Sequence, residues 1–314
     1  MFFISKAELD RRLKQMRIEL DRKGISDELR GWFWHTPPVE PPSREVLLGV
    51  SEVASRYCST FRDIYLRRIA GIQPPASFKM IRGIIFHKVS SEAVTIVKKT
   101  LFKLGLVNGY EILQEAISLS NKIVKDAINQ TTSRFESLGN INLEKMEKEA
   151  RSLYNFLVIQ AAAQIDRIIS KFPHIDLDSL VSLAIPPIVE RKVDGSLIGL
   201  SRELSVDIYA PAYAVADLKT GSLREFHPYA PTGYALAIES EEEVAVNYGI
   251  IIYVRLDDGK VRLRLKHFLI GDELRRQFLD IRDEAFEIVM NGVDPGKPDR
   301  CPLYCPYYEV CRSI

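Results

Sequence analysis

The chain has 314 residues, 46% hydrophobic and 27% charged, with a formal net charge of +1. This is enough for one large domain or two small ones around a substantial core, and no apolar run approaches the roughly 18 residues of a membrane helix. The start, Met1-Phe2-Phe3-Ile4-Ser5-Lys6, lacks the basic segment, long apolar stretch and cleavage site of a secretion signal, so the sequence reads as cytoplasmic and without membrane contact. A charge near zero neither favours nor excludes a polyanionic partner, because phosphate binding needs a local basic groove rather than a basic total. Tyr65-Leu66-Arg67-Arg68 and Arg275-Arg276 could line such a groove or be solvated helix faces.

In chain order, residues 1–56 read as a mostly helical extension. Positions 7–23 are rich in helix formers. The prolines between Pro37 and Pro42 force an extended connection, and a helix restarts with Ser43 or Ser51 as N-cap. Residues 78–104, 109–134 and 142–170 predict three helices. In the last, Leu143, Met146, Ala150, Leu153 and Leu157 recur at spacings of three and four. Two heptads are too few for a coiled coil, so this stripe predicts internal packing.

The texture changes at Pro186-Pro187. Residues 188–219 show strand chemistry with a hairpin signal at Asp194-Gly195 and a second turn at Ala210-Pro211-Ala212. A helix near 230–240 follows, then a hairpin over 244–270 turning at Asp258-Gly259, then a helix over 272–291 that Gly292 ends. The order predicts an α/β (α+β) core: a mixed central sheet with flanking helices.

The stretch from Leu204 to Gly221 carries the chemistry. Alternation along a strand puts Leu204, Val206 and Ile208 on one face and Ser205 and Asp207 on the other. On the next strand Tyr213, Val215, Asp217 and Lys219 share a face. A turn at Pro211 makes the strands neighbours, so Asp207 and Asp217 converge with Lys219 beside them. Two carboxylates and a lysine at a strand end can bind a hard divalent ion and orient a water against a phosphate. An Asp-x-Lys alone is as readily a surface ion pair. His87 follows Gly83 by one helical turn, and Gly83 leaves room for close approach of another backbone. Tyr234 begins the helix after the carboxylate strands, within reach of a phosphate.

The four cysteines are Cys58 and the cluster Cys301, Cys305 and Cys311. Disulfides, structural zinc and a cubane iron–sulfur cluster compete as readings. Disulfides are uncommon in the cytosol. Zinc sites usually pair two short Cys-Cys units, whereas a three-plus-one arrangement suits a cubane cluster better.

Taken together and in order, Cys58, Gly83 to His87, Asp207, Asp217-Leu218-Lys219, Tyr234, and Cys301, Cys305 and Cys311 resemble the CRISPR-associated RecB-like exonucleases with an iron–sulfur cluster (the Cas-four family). Glu190 matches an acidic position often seen upstream. The N-terminal segment and the long helical region resemble the larger archaeal variant of type I-A (Apern) loci.

The resemblance implies a PD-(D/E)xK restriction-endonuclease-like core. Residues 57–314 would form the nuclease domain, with a helical insertion over 109–183, behind the extension of residues 1–56. It further implies a metal-dependent, single-strand DNA exonuclease that trims fragments before their integration as spacers. Its partners would be DNA, the CRISPR integrase and other adaptation proteins, and a homo-oligomer is an allowed assembly. His87, Asp207 and Asp217 would hold Mn²⁺ or Mg²⁺, with Asp217, Lys219 and Tyr234 catalytic and the four cysteines binding a 4Fe-4S cluster. Two positions depart from the pattern: Leu204 replaces a glycine and Ala230 a glutamine. They keep open the alternative of a weakly active or inactive iron–sulfur subunit of the adaptation complex. A general repair nuclease is a third reading.

Overall fold

A computed structural model describes residues 6–135, 141–185, 188–210, 214–257 and 259–313. In chain order the helices and strands are α1 (Lys6–Lys23), α2 (Val50–Ala54), α3 (Arg62–Arg68), α4 (Phe78–Leu104), α5 (Gly109–Ser118), α6 (Ser120–Thr132), α7 (Leu143–Lys171), α8 (Leu177–Ala184), β1 (Ile188–Val193), β2 (Leu204–Ala210), β3 (Ala214–Lys219), α9 (Tyr229–Glu242), β4 (Tyr248–Asp257), β5 (Lys260–Leu269), α10 (Asp272–Asn291) and α11 (Tyr308–Ser313). The strands form one mixed sheet in the order β1-β2-β3-β4-β5. Among the described strands only β3 and β4 pair in parallel, and α9 supplies the crossover that a parallel pair requires.

Helices cover both faces of the sheet, giving the α/β architecture expected from the element order. On one face Ile208, Ala216, Leu218, Ile250 and Ile252 meet the apolar sides of α4 to α8. On the other, Val193, Leu204, Val206 and Val215 meet α9, α10 and the chain from Leu29 to Ile64. The long helices start on side-chain caps. Ser77 accepts from the Met80 amide at α4 and Asn142 from the Lys145 amide at α7, each satisfying a donor that the first turn leaves unpaired. Met146, Ala150, Leu153 and Leu157 of α7 are buried in the core, while Leu143 is exposed. Among the described residues no helix is long and apolar enough to cross a membrane.

Several local expectations differ from the fold. After α1 the extension is two 3₁₀ turns, Asp27–Leu29 and Gly31–Phe33, and irregular chain. Helix α2 starts at Val50 after Gly49, whose amide is bound by the Glu52 carboxylate, so neither Ser43 nor Ser51 is the cap. The helix over 109–134 is two helices broken at Leu119. Asp194-Gly195 opens a longer β1–β2 connection containing the 3₁₀ turn Ser196–Ile198, because Asp194 Oδ1 accepts from the Ser196 amide and the chain bends there instead of pairing. Pro186-Pro187, the Pro211 turn, Tyr213 and Asp258 lie outside the described residues.

Arg275 does not line a groove. It is fully buried, and its guanidinium donates to both Glu239 oxygens at 2.7 and 2.8 Å and to the carbonyls of Leu29, Val246 and Ile270. Arg30 donates to the same carboxylate at 2.9 Å, and the Gly31 amide at 3.0 Å. Gly31 sits so close to α9 that a β-carbon there would lie 2.0 Å from the Leu236 carbonyl oxygen. A residue without a side chain is therefore required where the N-terminal segment docks on α9.

Candidate active site

The strands bring the carboxylates together with a twist the sequence did not announce. Leu204 and Val206 pack on the α9 side of β2, but Ile208 packs on the opposite side and Tyr209 returns to the first. The simple alternation expected for Leu204, Val206 and Ile208 thus breaks at Asp207. Across β1, Val189 pairs with Ile208 and Arg191 with Val206, so Glu190 lies opposite Asp207. Glu190 has φ +50°, a left-handed conformation that is costly for a residue with a side chain, and it marks where both strands turn over. Its Oε2 accepts from Ser205 Oγ at 2.6 Å.

His87 comes from α4, on the far wall. Its Nδ1 stands 3.0 Å from Asp207 Oδ1, and Asp207 Oδ2 accepts from the Leu218 amide at 2.7 Å. Asp207 is therefore gripped by both neighbouring walls. Asp217 is buried and shares its face of β3 with Val215 and Lys219. Its Oδ2 lies 2.9 Å from Lys219 Nζ in an ion pair. Arg82 braces the wall: it donates to Glu149 of α7 at 2.5 Å and to the Thr220 carbonyl at 3.3 Å. Gly83 faces only Thr220 Oγ1, 3.6 Å from where a β-carbon would be, so no backbone approaches it as expected from the sequence. Tyr234 lies in the second turn of α9 rather than at its start.

Burial disfavours charge throughout this group, and pairing decides each outcome. For His87, burial is outweighed by Asp207, which lifts the imidazole to about 9. For Asp207, burial is outweighed by His87, the Leu218 amide and Lys219, which hold it below the usual carboxylate range. Burial and the neighbouring Asp207 charge push Asp217 up despite Lys219. Lys219 is raised, Asp217 overcoming its burial. Burial and the carboxylates Asp207, Asp217 and Glu190 push the Tyr234 phenol well above its ordinary value, so it remains a hydrogen-bond donor.

The group opens on a cleft of about 1800 Å³. Its border includes His87, Lys219, Lys79, Lys88, Arg224 and Arg255. The cleft continues past Tyr57 to Tyr304 and Cys305 in the C-terminal tail.

The four cysteines are free thiols gathered near that end of the cleft. Burial, with the nearby Asp63, Cys58 and Cys311, pushes Cys305 up to about 11. Burial also raises Cys311, with Cys301 and Cys58 adding to the effect against Arg62. Among the described residues no three His, Cys, Asp or Glu side chains are grouped as a ready metal cage, either here or around Asp217. The two sites fit a bound cation by donor chemistry. One offers an imidazole and two carboxylates; the other offers four thiols.

A mixed sheet with acidic residues on adjacent strands, a lysine two residues on and a histidine bonded to the first acid from a covering helix matches a nuclease-like α+β fold. The chain belongs to the family of CRISPR-associated exonuclease Csa1, whose family model matches residues 1–314. It is 34% identical over 313 residues to a CRISPR-associated exonuclease Csa1 of Saccharolobus solfataricus, covering 99% of this chain and 100% of the relative. It is 28% identical over 306 residues to the protein of that name from Thermoproteus tenax, covering 98% of each.

Sequence reading overlooked Arg82, Glu149 and the buried Glu239 network. Glu149 on α7 and Glu239 on α9 look like ordinary helix-surface acids in sequence, and only the tertiary contacts distinguish them.

Proposed function

We propose that the protein, whose relatives are named exonucleases, is a metal-dependent DNA exonuclease acting on single-stranded or splayed ends. The observation that carries this reading is the meeting of His87, Asp207, Asp217 and Lys219 at the sheet, with His87 and Lys219 reaching the border of the cleft. His87, Asp207 and Asp217 would hold one or two Mn²⁺ or Mg²⁺ ions, the imidazole favouring Mn²⁺. Such an ion supplies activation of water and neutralises charge on the attacked phosphate.

The chain's own groups do the rest. Asp207, fixed by the Leu218 amide, presents its other oxygen toward His87. Lys219 offers a fixed positive charge to the oxygen that gains negative charge as the P–O bond breaks. Tyr234, kept protonated, donates to a phosphate oxygen. Lys79, Lys88, Arg224 and Arg255 neutralise the backbone along the cleft. On the outward face of β5, Lys260, Arg262, Arg264 and Lys266 alternate as a separate basic strip.

A 4Fe-4S cluster on Cys58, Cys301, Cys305 and Cys311 would fasten the C-terminal tail to the chain beside α3 and fix one end of the cleft. The biological setting we infer is cytoplasmic trimming of DNA before spacer integration, beside the CRISPR integrase.

A second reading, a weakly active structural subunit, is favoured by Ala230. It is buried in the α9-side core and offers no side-chain amide one turn before Tyr234. Leu204 is likewise a buried core position.

Anaerobically purified protein, given end-labelled single-stranded DNA and Mn²⁺, is expected to shorten it, and excess chelator to stop the reaction. The product ladder gives polarity. Iron-loaded protein that cuts nothing under these conditions would move the assignment to the structural subunit.

A further inference from the structure

Between Lys219 and the cysteine-bearing tail, the cleft carries a connected set of rings. Tyr57 meets Phe226 edge-on, with 5.9 Å between ring centroids and an interplanar angle of 82°, and meets Tyr304 at 6.1 Å and 63°. The Arg224 guanidinium lies 3.8 Å from the centroid of the Tyr304 ring. Phe226 meets His227 at 5.2 Å and 90°. All five residues border the cleft that holds His87 and Lys219, and Tyr57 stands close enough to Lys219 to affect its charge.

This array is not core packing. Tyr57, Arg224, Phe226 and His227 are half-buried, and Tyr304 keeps 39% of its surface in water. Exposed rings contribute little to folding, and phosphates alone recruit lysine and arginine rather than rings. Rings beside cations in a groove suit nucleobases, because every base has a π-face and an arginine plane can stack with it. A duplex hides those faces in its own stack, whereas an unpaired strand presents them. His227 adds no charge to the array: burial, with Lys219, Arg224 and Lys266 nearby, holds it down to about 4.

We propose that Tyr304, with Arg224 over its ring and Tyr57 and Phe226 against it, is a stacking platform for the unpaired bases of a DNA strand whose end lies at Asp217 and Lys219. The platform selects single-stranded over paired substrate. It rests on the nuclease reading for the position of the strand end, but its own readout is binding.

The test is fluorescence anisotropy of a labelled single-stranded oligonucleotide with the intact protein in chelator, so that nothing is cut. Tyr304→Ala is expected to weaken binding by roughly 5- to 150-fold, the range found when a base-stacking ring is truncated. Tyr304→Phe should bind within about twofold of wild type, since it keeps the ring. On an oligonucleotide carrying a run of abasic sites, wild type and Tyr304→Ala should bind alike. Arg224→Gln, which leaves every ring in place but removes a charge that also faces the backbone, serves as the second variant and should show a smaller loss that persists in part on abasic DNA.

Unchanged affinity in Tyr304→Ala, or an equal loss on abasic DNA, overturns the platform. The two readings fail separately. A wild type that never cuts but keeps the base-dependent Tyr304 effect loses the reaction and retains the platform. Normal cutting with unchanged affinity in Tyr304→Ala does the reverse.

Discussion

Asp217→Ala is expected to lower DNA hydrolysis by on the order of 10³-fold while leaving the fold intact. Asp217 is a buried carboxylate beside Asp207, and its ion pair with Lys219 holds that lysine charged at the cleft. Its removal takes away a metal ligand and the anchor of the lysine together. Burial and the adjacent Asp207 disfavour the Asp217 charge and so offset part of what its pair with Lys219 contributes. Thermal unfolding of the metal-free variant should therefore fall by less than that of Glu239→Ala. A variant that unfolds early and cuts poorly would make Asp217 structural; a variant that cuts at the wild-type rate would exclude it from the reaction.

Glu239→Ala should do the opposite, unfolding the protein without touching the chemistry. The Glu239 carboxylate accepts from Arg275 twice, from Arg30, and from the amides of Gly31 and Val246. Truncating it leaves two guanidinium groups and two amides facing an empty space in the core. Breaking a buried pair in this way costs about 3–5 kcal/mol, a fall in Tm on the order of 10 °C for a chain of this size.

The same group sets a pH dependence. Burial opposes the Glu239 charge, but Arg275, with the Gly31 amide and Arg30, holds the carboxyl below its ordinary value of about 4.5. Its contribution is fully present above that value and is lost as pH falls through the lower value of the folded state. Melting curves of wild type should drop steeply in acid, and those of Glu239→Gln should drop less. Parallel acid profiles would contradict the assignment.

Much of the fold was legible because its signals are local. The helix over 78–104, the strand pair turning near Gly259 and the helix ended by Gly292 follow from periodicity and turn residues, and all three appear within a few residues of expectation. The candidate site was legible as residue types, since Asp207, Asp217, Lys219 and His87 stood out against their neighbours. Its geometry was not. The reversal of β2 at Asp207 depends on Glu190 in the opposite strand adopting a positive φ, which no alternation pattern encodes. Arg275 and Arg276 are adjacent in sequence yet differ completely: Arg275 is buried on Glu239, and Arg276 is exposed beside Glu28. On α10 the two positions are about 100° apart around the axis, and only the packing of α9 and Leu29 decides which one is enclosed. The aromatic wall was invisible for the same reason, because Tyr57, Phe226 and Tyr304 come from three distant parts of the chain.

The most direct test of the central claim is Mn²⁺ binding followed by electron paramagnetic resonance, which reports free ion without requiring any DNA to be cut. Wild type is expected to remove Mn²⁺ from solution at the site, and His87→Ala and Asp207→Ala each to bind it at least tenfold more weakly. Equal titrations for wild type and both variants would contradict the claim that these side chains hold the metal.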